Sequence, residues 1–389
     1  MTAVIDEAVV DRARALAPLI ESEADRAEAE TTTTQPVVDA VTKSELFGIL
    51  VPKEFGGLGA DVSTALGVFE ELAYADGSVG WSVMANTTSS CFAAIYTGET
   101  AANQMFPEGA LGIHAGMLGP VGQARRVDGG YRVTGRYSFG SGCAHANYIG
   151  AGTVETDDDG NALTTESGLP AMRVVLIPRE QIDFRGNWDV IGLTATGSYD
   201  YVVDDVFVPE DFTYSLLEHT QLRGGPGLSI GLFAITGAGH AGIALGVGRR
   251  AIDEITKLAN TRVRMAGFAT IGTEQLFQAG LGQHDCAMRA ARALVYEAVA
   301  AADAQARATG TADNVTQARL RASATYATRV ATDAAHFAFS WAGSAGLRPG
   351  IIQRCLRDML AASQHIYVDN NTITGYAQAL VADAAAAPD

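Results

Sequence analysis

Positive charge is scarce in this sequence. Its 27 lysines and arginines face 44 aspartates and glutamates, for a formal net charge of -17 at pH 7. A surface of that sign repels phosphate backbones and anionic lipid, so neither a nucleic acid nor a membrane is an expected partner. Cysteine is sparse as well. Cys91, Cys143, Cys286 and Cys355 lie far apart with no CxxC spacing, which argues against a disulfide framework and a zinc site, and no metal is expected. No apolar run is long enough to cross a bilayer, and the chain does not open on a basic and then apolar leader. The expectation is a soluble, cytoplasmic protein. Internal repeats and low-complexity tracts are missing too. Proline almost disappears over the last third, where Pro349 stands alone between Leu228 and Ala384, and long helices accept little else.

What is present is enough apolar material, 48% of 389 residues, to bury a large core in more than one packed unit. Ala3 to about Glu30 carries apolar residues at helical spacing, and a threonine run leads through Gln35-Pro36 into another helical pattern. After the turn-rich Val51 to Gly59, Val62 to Ala75 and Gly80 to Tyr96 again read helical. From Gly112 the texture changes to short β-type runs: Ala124 to Val127, Tyr131 to Phe139, Tyr148 to Val154, Met172 to Ile177 and Tyr199 to Val208. Asp128-Gly129-Gly130 is a hairpin signal between the first two, and Asp157-Asp158-Asp159-Gly160 an exposed loop. Ile243 to Ala259, Glu274 to Ala306 and Asn314 to Ala342 are alanine-rich and helical in period. The expected fold class is α+β, mostly α: an N-terminal helical domain (1–111), a central β-barrel or sandwich domain (112–224) and a C-terminal four-helix bundle (225–389).

Gln353-Arg354-Cys355-Leu356-Arg357-Asp358, followed by His365-Ile366-Tyr367-Val368, resembles the last catalytic region of the acyl-CoA dehydrogenase superfamily. There an Arg-Asp pair leads to an Ile-Tyr-Glu whose glutamate is the base in many members. Val368 replaces that glutamate, while His365, read as lying on the final helix at the end of a small-residue helical stretch, offers a group that titrates near neutral pH. The order helical, β, helical is also that of the superfamily, and the resemblance covers nearly the whole chain. Gly135-Arg136-Tyr137-Ser138-Phe139-Gly140-Ser141-Gly142-Cys143-Ala144-His145 is similar to the Gly-x-Trp-Ser-Phe-x-Ser-Gly-x-x-His motif of the reduced-flavin-dependent monooxygenases that share this fold, with Tyr137 in place of tryptophan. Ala73-Tyr74-Ala75-Asp76-Gly77-Ser78-Val79-Gly80-Trp81 resembles a second string of the same enzymes.

The resemblance implies a two-component, group D monooxygenase. Such an enzyme takes reduced FMN or FAD from a separate reductase, uses O2 as co-substrate by way of a C4a-hydroperoxide, and hydroxylates an aromatic or heteroaromatic small molecule. It implies catalytic roles for His365, Ser141 and His114. Ser141, Phe139, Gly142, Arg262 and Ser198 become cofactor contacts, with Ser138 a lesser alternative to Ser141. Trp81, Met84 and His114 become the substrate pocket. A serine suits a position beside flavin N5 in a dry pocket, and the arginine of Ala259-Asn260-Thr261-Arg262-Val263-Arg264 suits a phosphate, often a neighbouring subunit's. The assembly implied is a homotetramer. Each feature has a plainer reading: a Ser/Gly turn, core packing at Val83 and Met84, a structural helix histidine, arginines complementing a helix dipole. Other functional readings are a dehydrogenase with a relocated base, an amine N-oxidising member of the family, and a catalytically silent scaffold. Gly237-Ala238-Gly239-His240-Ala241-Gly242 satisfies GxGxxG, but no strand or compact βαβ unit precedes it. Its small residues, continued by Gly246 and Gly248, are read as tight helix packing.

Overall fold

Residues 4–108, 110–263 and 268–386 are described in a computed structural model of the chain. Five helices come first. α1 (Glu7–Glu30) begins at Asp6, whose carboxylate accepts the Ala8 N–H at 3.1 Å, and stops at Thr31 in the left-handed region, φ 55°. α2 (Gln35–Lys43) has Pro36 in its first turn, where no backbone donor is needed. α3 (Val62–Ala75), α4 (Gly77–Tyr96) and α5 (Glu99–Met105) complete the set.

Seven strands follow: β1 (His114–Val127), β2 (Gly130–Gly140), β3 (Tyr148–Thr156), β4 (Met172–Pro178), β5 (Asp183–Gly186), β6 (Tyr199–Pro209) and β7 (Thr213–Ser215). They form one sheet in the order β5-β6-β2-β1-β3-β4-β7. β1 runs parallel to β3, and the other neighbours are antiparallel. Asp128-Gly129 turns the hairpin, Val127 pairing with Gly130. β1 begins ten residues before the run legible in the sequence, because glycines at 116, 119 and 122 and Pro120 dilute its pattern. β5 and β7 hold four and three residues, too few to show a period.

The last third is helical: α6 (Leu232–Ala259), α7 (Gln275–Thr309), α8 (Asn314–Ala342), α9 (Ile351–Ala362) and α10 (Asn370–Ala386). α6 is buried on nearly every side, and its glycines let it close onto α3 and α4. A Cβ at Gly246 would stand 2.2 Å from the Glu70 carbonyl oxygen, and one at Gly239 would stand 2.6 Å from the Met84 Cγ. That close seating brings His240, in the middle of α6, against Trp81 of α4. Among the described residues no helix is long and apolar enough to cross a membrane.

Candidate active site

Three segments distant in sequence are tied together by one run of hydrogen bonds. Asp76 caps α4 by accepting from the Ser78 and Val79 N–H groups at 3.0 and 3.2 Å, which fixes where the helix starts. Trp81, in the second turn, donates its indole N–H to Ser141 Oγ at 3.0 Å. Ser141 sits just past β2, where Phe139 (φ 66°) and Gly142 (φ 69°) both take left-handed backbone. Glycine is required at 142 for a second reason, since a Cβ there would lie 2.4 Å from the Asn86 Oδ1. The Asn86 amide uses that room to donate to the carbonyls of His114 and Gly142, at 2.9 and 3.3 Å. Ser141 Oγ is 2.8 Å from Ser198 Oγ, and Ser198 Oγ is 2.7 Å from Thr196 Oγ1. Thr196 donates to the Leu193 carbonyl at 2.7 Å, and the Leu193 N–H donates to Asp358 on α9 at 2.6 Å. Burial, and then the neighbouring Asp76, raise the Asp358 carboxyl to about 7.

An aromatic and imidazole wall stands against Trp81. Its indole meets His365 edge-on at 5.5 Å and His240 edge-on at 4.8 Å, and the two imidazoles are 4.2 Å apart between centroids. Tyr367 stacks on His365 at 5.2 Å, and Phe233 lies 5.9 Å from Tyr367. His365 is not on a helix, contrary to the sequence expectation. It lies between α9 and α10 in extended backbone and caps a short turn, its Nδ1 accepting the Tyr367 N–H at 3.3 Å. An accepting Nδ1 leaves the hydrogen of the neutral ring on Nε2. Burial lowers the His365 imidazole to about 4, so it does not titrate near neutral pH as its residue type suggests. His240 is lowered well below the usual range by burial, and further by His365.

The remaining expected residues fall elsewhere. His114 is fully buried and lowered to about 3 by desolvation. Its ring packs with Phe106 at 4.9 Å and Tyr148 at 5.7 Å, and its Nε2 has no hydrogen-bond partner among the described residues. Met84 is core, packed against Gly239. His145 is also lowered to about 4 by burial, then by Arg179. Arg262 follows the far end of α6 and donates to Ser344 Oγ at 2.7 Å. The rise along α6 from His240 to Ala259 is roughly 28 Å, so Arg262 is remote from its own subunit's imidazole pair. An open cleft of about 420 Å³, lined by Lys257, Thr261 and Arg348 among others, lies at that end. Arg264, Met265, Ala266 and Gly267 are outside the described residues.

His240, Tyr367 and Thr196 are the site members that residue-by-residue reading passed over. Two left a sequence signal: His240 is the lone polar side chain in the glycine-rich run read as packing, and Tyr367 is the tyrosine of the Ile366-Tyr367 pair that carries the resemblance.

The family model for the acyl-CoA dehydrogenase C-terminal domain matches residues 238–370, and that for the N-terminal domain matches residues 6–107. The fold and these matches define the class, the acyl-CoA dehydrogenase superfamily. Indole-3-acetate monooxygenase of Pseudomonas putida is 30% identical over 346 residues, 87% of this chain and 85% of that protein. The oxygenase subunit HsaA of a flavin-dependent monooxygenase from Rhodococcus jostii is 30% identical over 220 residues, 56% of this chain and 55% of its own. XiaF from Streptomyces sp., solved in complex with FADH2 and glycerol, superposes with a TM-score of 0.87 at 24% identity, covering 97% of this chain and 95% of that one. The chain belongs to the flavin-dependent monooxygenases built on the acyl-CoA dehydrogenase fold.

The site's own chemistry fits a flavin. Phe139 (62% exposed), Ile191 (61%) and Ile366 (75%) each leave a large apolar side chain uncovered within two residues of Ser141, Leu193 and His365. Polar groups held at fixed points beside bare apolar surface are what a flat, amphipathic ring system requires.

Proposed function

We propose that this chain is the oxygenase component of a two-component system. It takes reduced FMN or FAD from a separate reductase and, with O2, hydroxylates an aromatic or heteroaromatic small molecule. The observation that carries the reading is the Trp81–Ser141–Ser198–Thr196 chain set against a wall of neutral imidazoles, with buried Val368 where a dehydrogenase holds its carboxylate. When bound, reduced flavin supplies the electrons that activate O2. Ser141 would hold the ring edge, with Ser198 behind it in the hydroxyl chain and Phe139 and Gly142 beside it. His365, neutral and carrying its hydrogen on Nε2, acts as a hydrogen-bond donor to an oxygen atom developing charge, a role in which a preorganised donor in a dry site is most effective. Trp81 and Tyr367 exclude water around it. His114, neutral and with a free buried nitrogen, is assigned to the substrate's polar group.

Arg262 is assigned to the flavin phosphate of a neighbouring subunit, in keeping with its distance from its own site, and the assembly proposed is a homotetramer in the cytoplasm. The chain divides into units at 111/112 and 224/225 on this reading. The test is a product screen. Purified protein, a flavin reductase, NADH and either FMN or FAD are incubated under oxygen with phenols, indoles and amines. An oxygenated aromatic product dependent on all components is expected. Oxidation of an acyl-CoA in the absence of reductase, with no oxygenated product, would sink the assignment.

A further inference from the structure

The polarity of the hydroxyl chain is fixed from both ends. An indole N–H only donates, so Ser141 Oγ accepts from Trp81. At the other end Thr196 gives its single hydroxyl proton to the Leu193 carbonyl. With that proton committed, the 2.7 Å contact with Ser198 requires Ser198 to donate to Thr196. Ser198 has then used its own proton, and the 2.8 Å contact with Ser141 requires Ser141 to donate to Ser198. The Ser141 proton is thus turned inward, one lone pair holds the indole, and one lone pair is left for a ligand. Thr196 and Ser198 are 1% and 2% exposed, so bulk water does not reset the chain.

We propose that Thr196 and Ser198 are positioning residues that make Ser141 an acceptor, and that this polarity selects reduced over oxidised flavin. The inference rests on the flavin reading above. Reduced flavin carries a hydrogen on N5 and donates there, whereas oxidised flavin has a bare N5 that accepts. A donor ligand adds one bond to the chain as it stands. An acceptor ligand gains its bond only at the expense of one in the chain: Ser141 turns its proton outward and loses Ser198, or every hydroxyl reverses and Thr196 gives up Leu193. The preference is therefore one hydrogen bond, about 2- to 12-fold in relative affinity.

The test is anaerobic titration of reduced and of oxidised FMN and FAD into wild type, Thr196→Val, Thr196→Ser and Ser198→Ala, with the ratio of the two dissociation constants as readout. In Thr196→Val the Ser198 proton is released toward Ser141, whose own proton turns outward. Reduced flavin should bind more weakly and oxidised flavin more tightly, lowering the preference by that factor or more. Ser198→Ala frees the Ser141 proton directly and should act in the same direction, which keeps the test alive if valine at 196 impairs folding. Thr196→Ser should retain the wild-type ratio. A general loosening of the site would weaken both forms together and leave the ratio alone. An unchanged ratio in Ser198→Ala, with flavin still bound, overturns the polarity argument only. Failure of wild type to bind either form overturns the flavin reading and this inference with it.

Discussion

Protonation of His365 is the sharpest quantitative consequence of the site geometry. Its imidazole is lowered to about 4 by burial, with Trp81, His240 and Tyr367 packed around it. At pH 5.5 an ordinary histidine is about 90% protonated, and His365 should be about 3% protonated. Placing a proton on it in the folded state costs about 3 kcal/mol relative to the unfolded chain. The sign follows from which state binds the proton. Unfolded histidine takes it up near 6.5 and folded His365 only near 4, so this group removes stability as the pH falls from 6.5 towards 4, and the loss is complete below. Exchange of the imidazole C2 hydrogen with deuterium, followed by mass spectrometry between pH 4 and 8, reports each histidine separately. The midpoint for His365 should lie near 4, well below the ordinary value of a solvated imidazole. His240→Ala, which opens the wall to water, should move it up towards 6.5. A wild-type midpoint between 6 and 7 would refute both the buried geometry and the assignment of His365 as a neutral donor.

Other consequences follow from neighbouring contacts. His365→Ala should lower product formation about 100-fold, the loss expected from one preorganised donor; a wild-type rate returns His365 to packing. Ser141→Ala should lower product formed per reduced flavin consumed while hydrogen peroxide release rises, and unaltered coupling makes Ser141 a turn residue. Asp358 has the opposite linkage to His365: its folded value, about 7, lies above its unfolded one, so its contribution to stability is complete below the unfolded value and is lost as the pH rises through 7. Asp358→Asn, which keeps an acceptor for Leu193, should be tolerated and should flatten the melting temperature between about pH 4 and 7. Asp358→Leu should cost about 1–3 kcal/mol by leaving that N–H buried and unpaired, and equal stability of the two variants would contradict this. Light scattering should give a mass well above the 40.6 kDa chain, and a persistent monomer would leave Arg262 without a neighbouring flavin.

How far the sequence reached depends on whether a feature is contiguous. Phe139 to Gly142 and Asp76 to Trp81 were legible because strand exit, turn and helix cap are local devices that put their chemistry within a few residues. The long helices were legible for the same reason, and Asn314 to Ala342 emerges with both boundaries as expected. The hydroxyl chain was not, because Thr196 and Ser198 acquire direction only when Leu193 is pinned by Asp358, 165 residues away. Nor was the helical run before His365 a sound guide to its conformation, since backbone and ring there answer to a cap on Tyr367 and not to periodicity. His240 is the instructive case. Reading its glycine-rich run as packing was physically sound, because Gly239 and Gly246 do seat α6 against Met84 and Glu70. The same close approach carries the one polar side chain of that run to within 4.2 Å of His365. Packing and site are one arrangement here, and Gly239→Val should reveal it: the added bulk pushes α6 from α4, so His240 parts from Trp81 and the His365 exchange midpoint rises as water enters. A variant that destabilises the fold but leaves that midpoint in place would show the two to be separable.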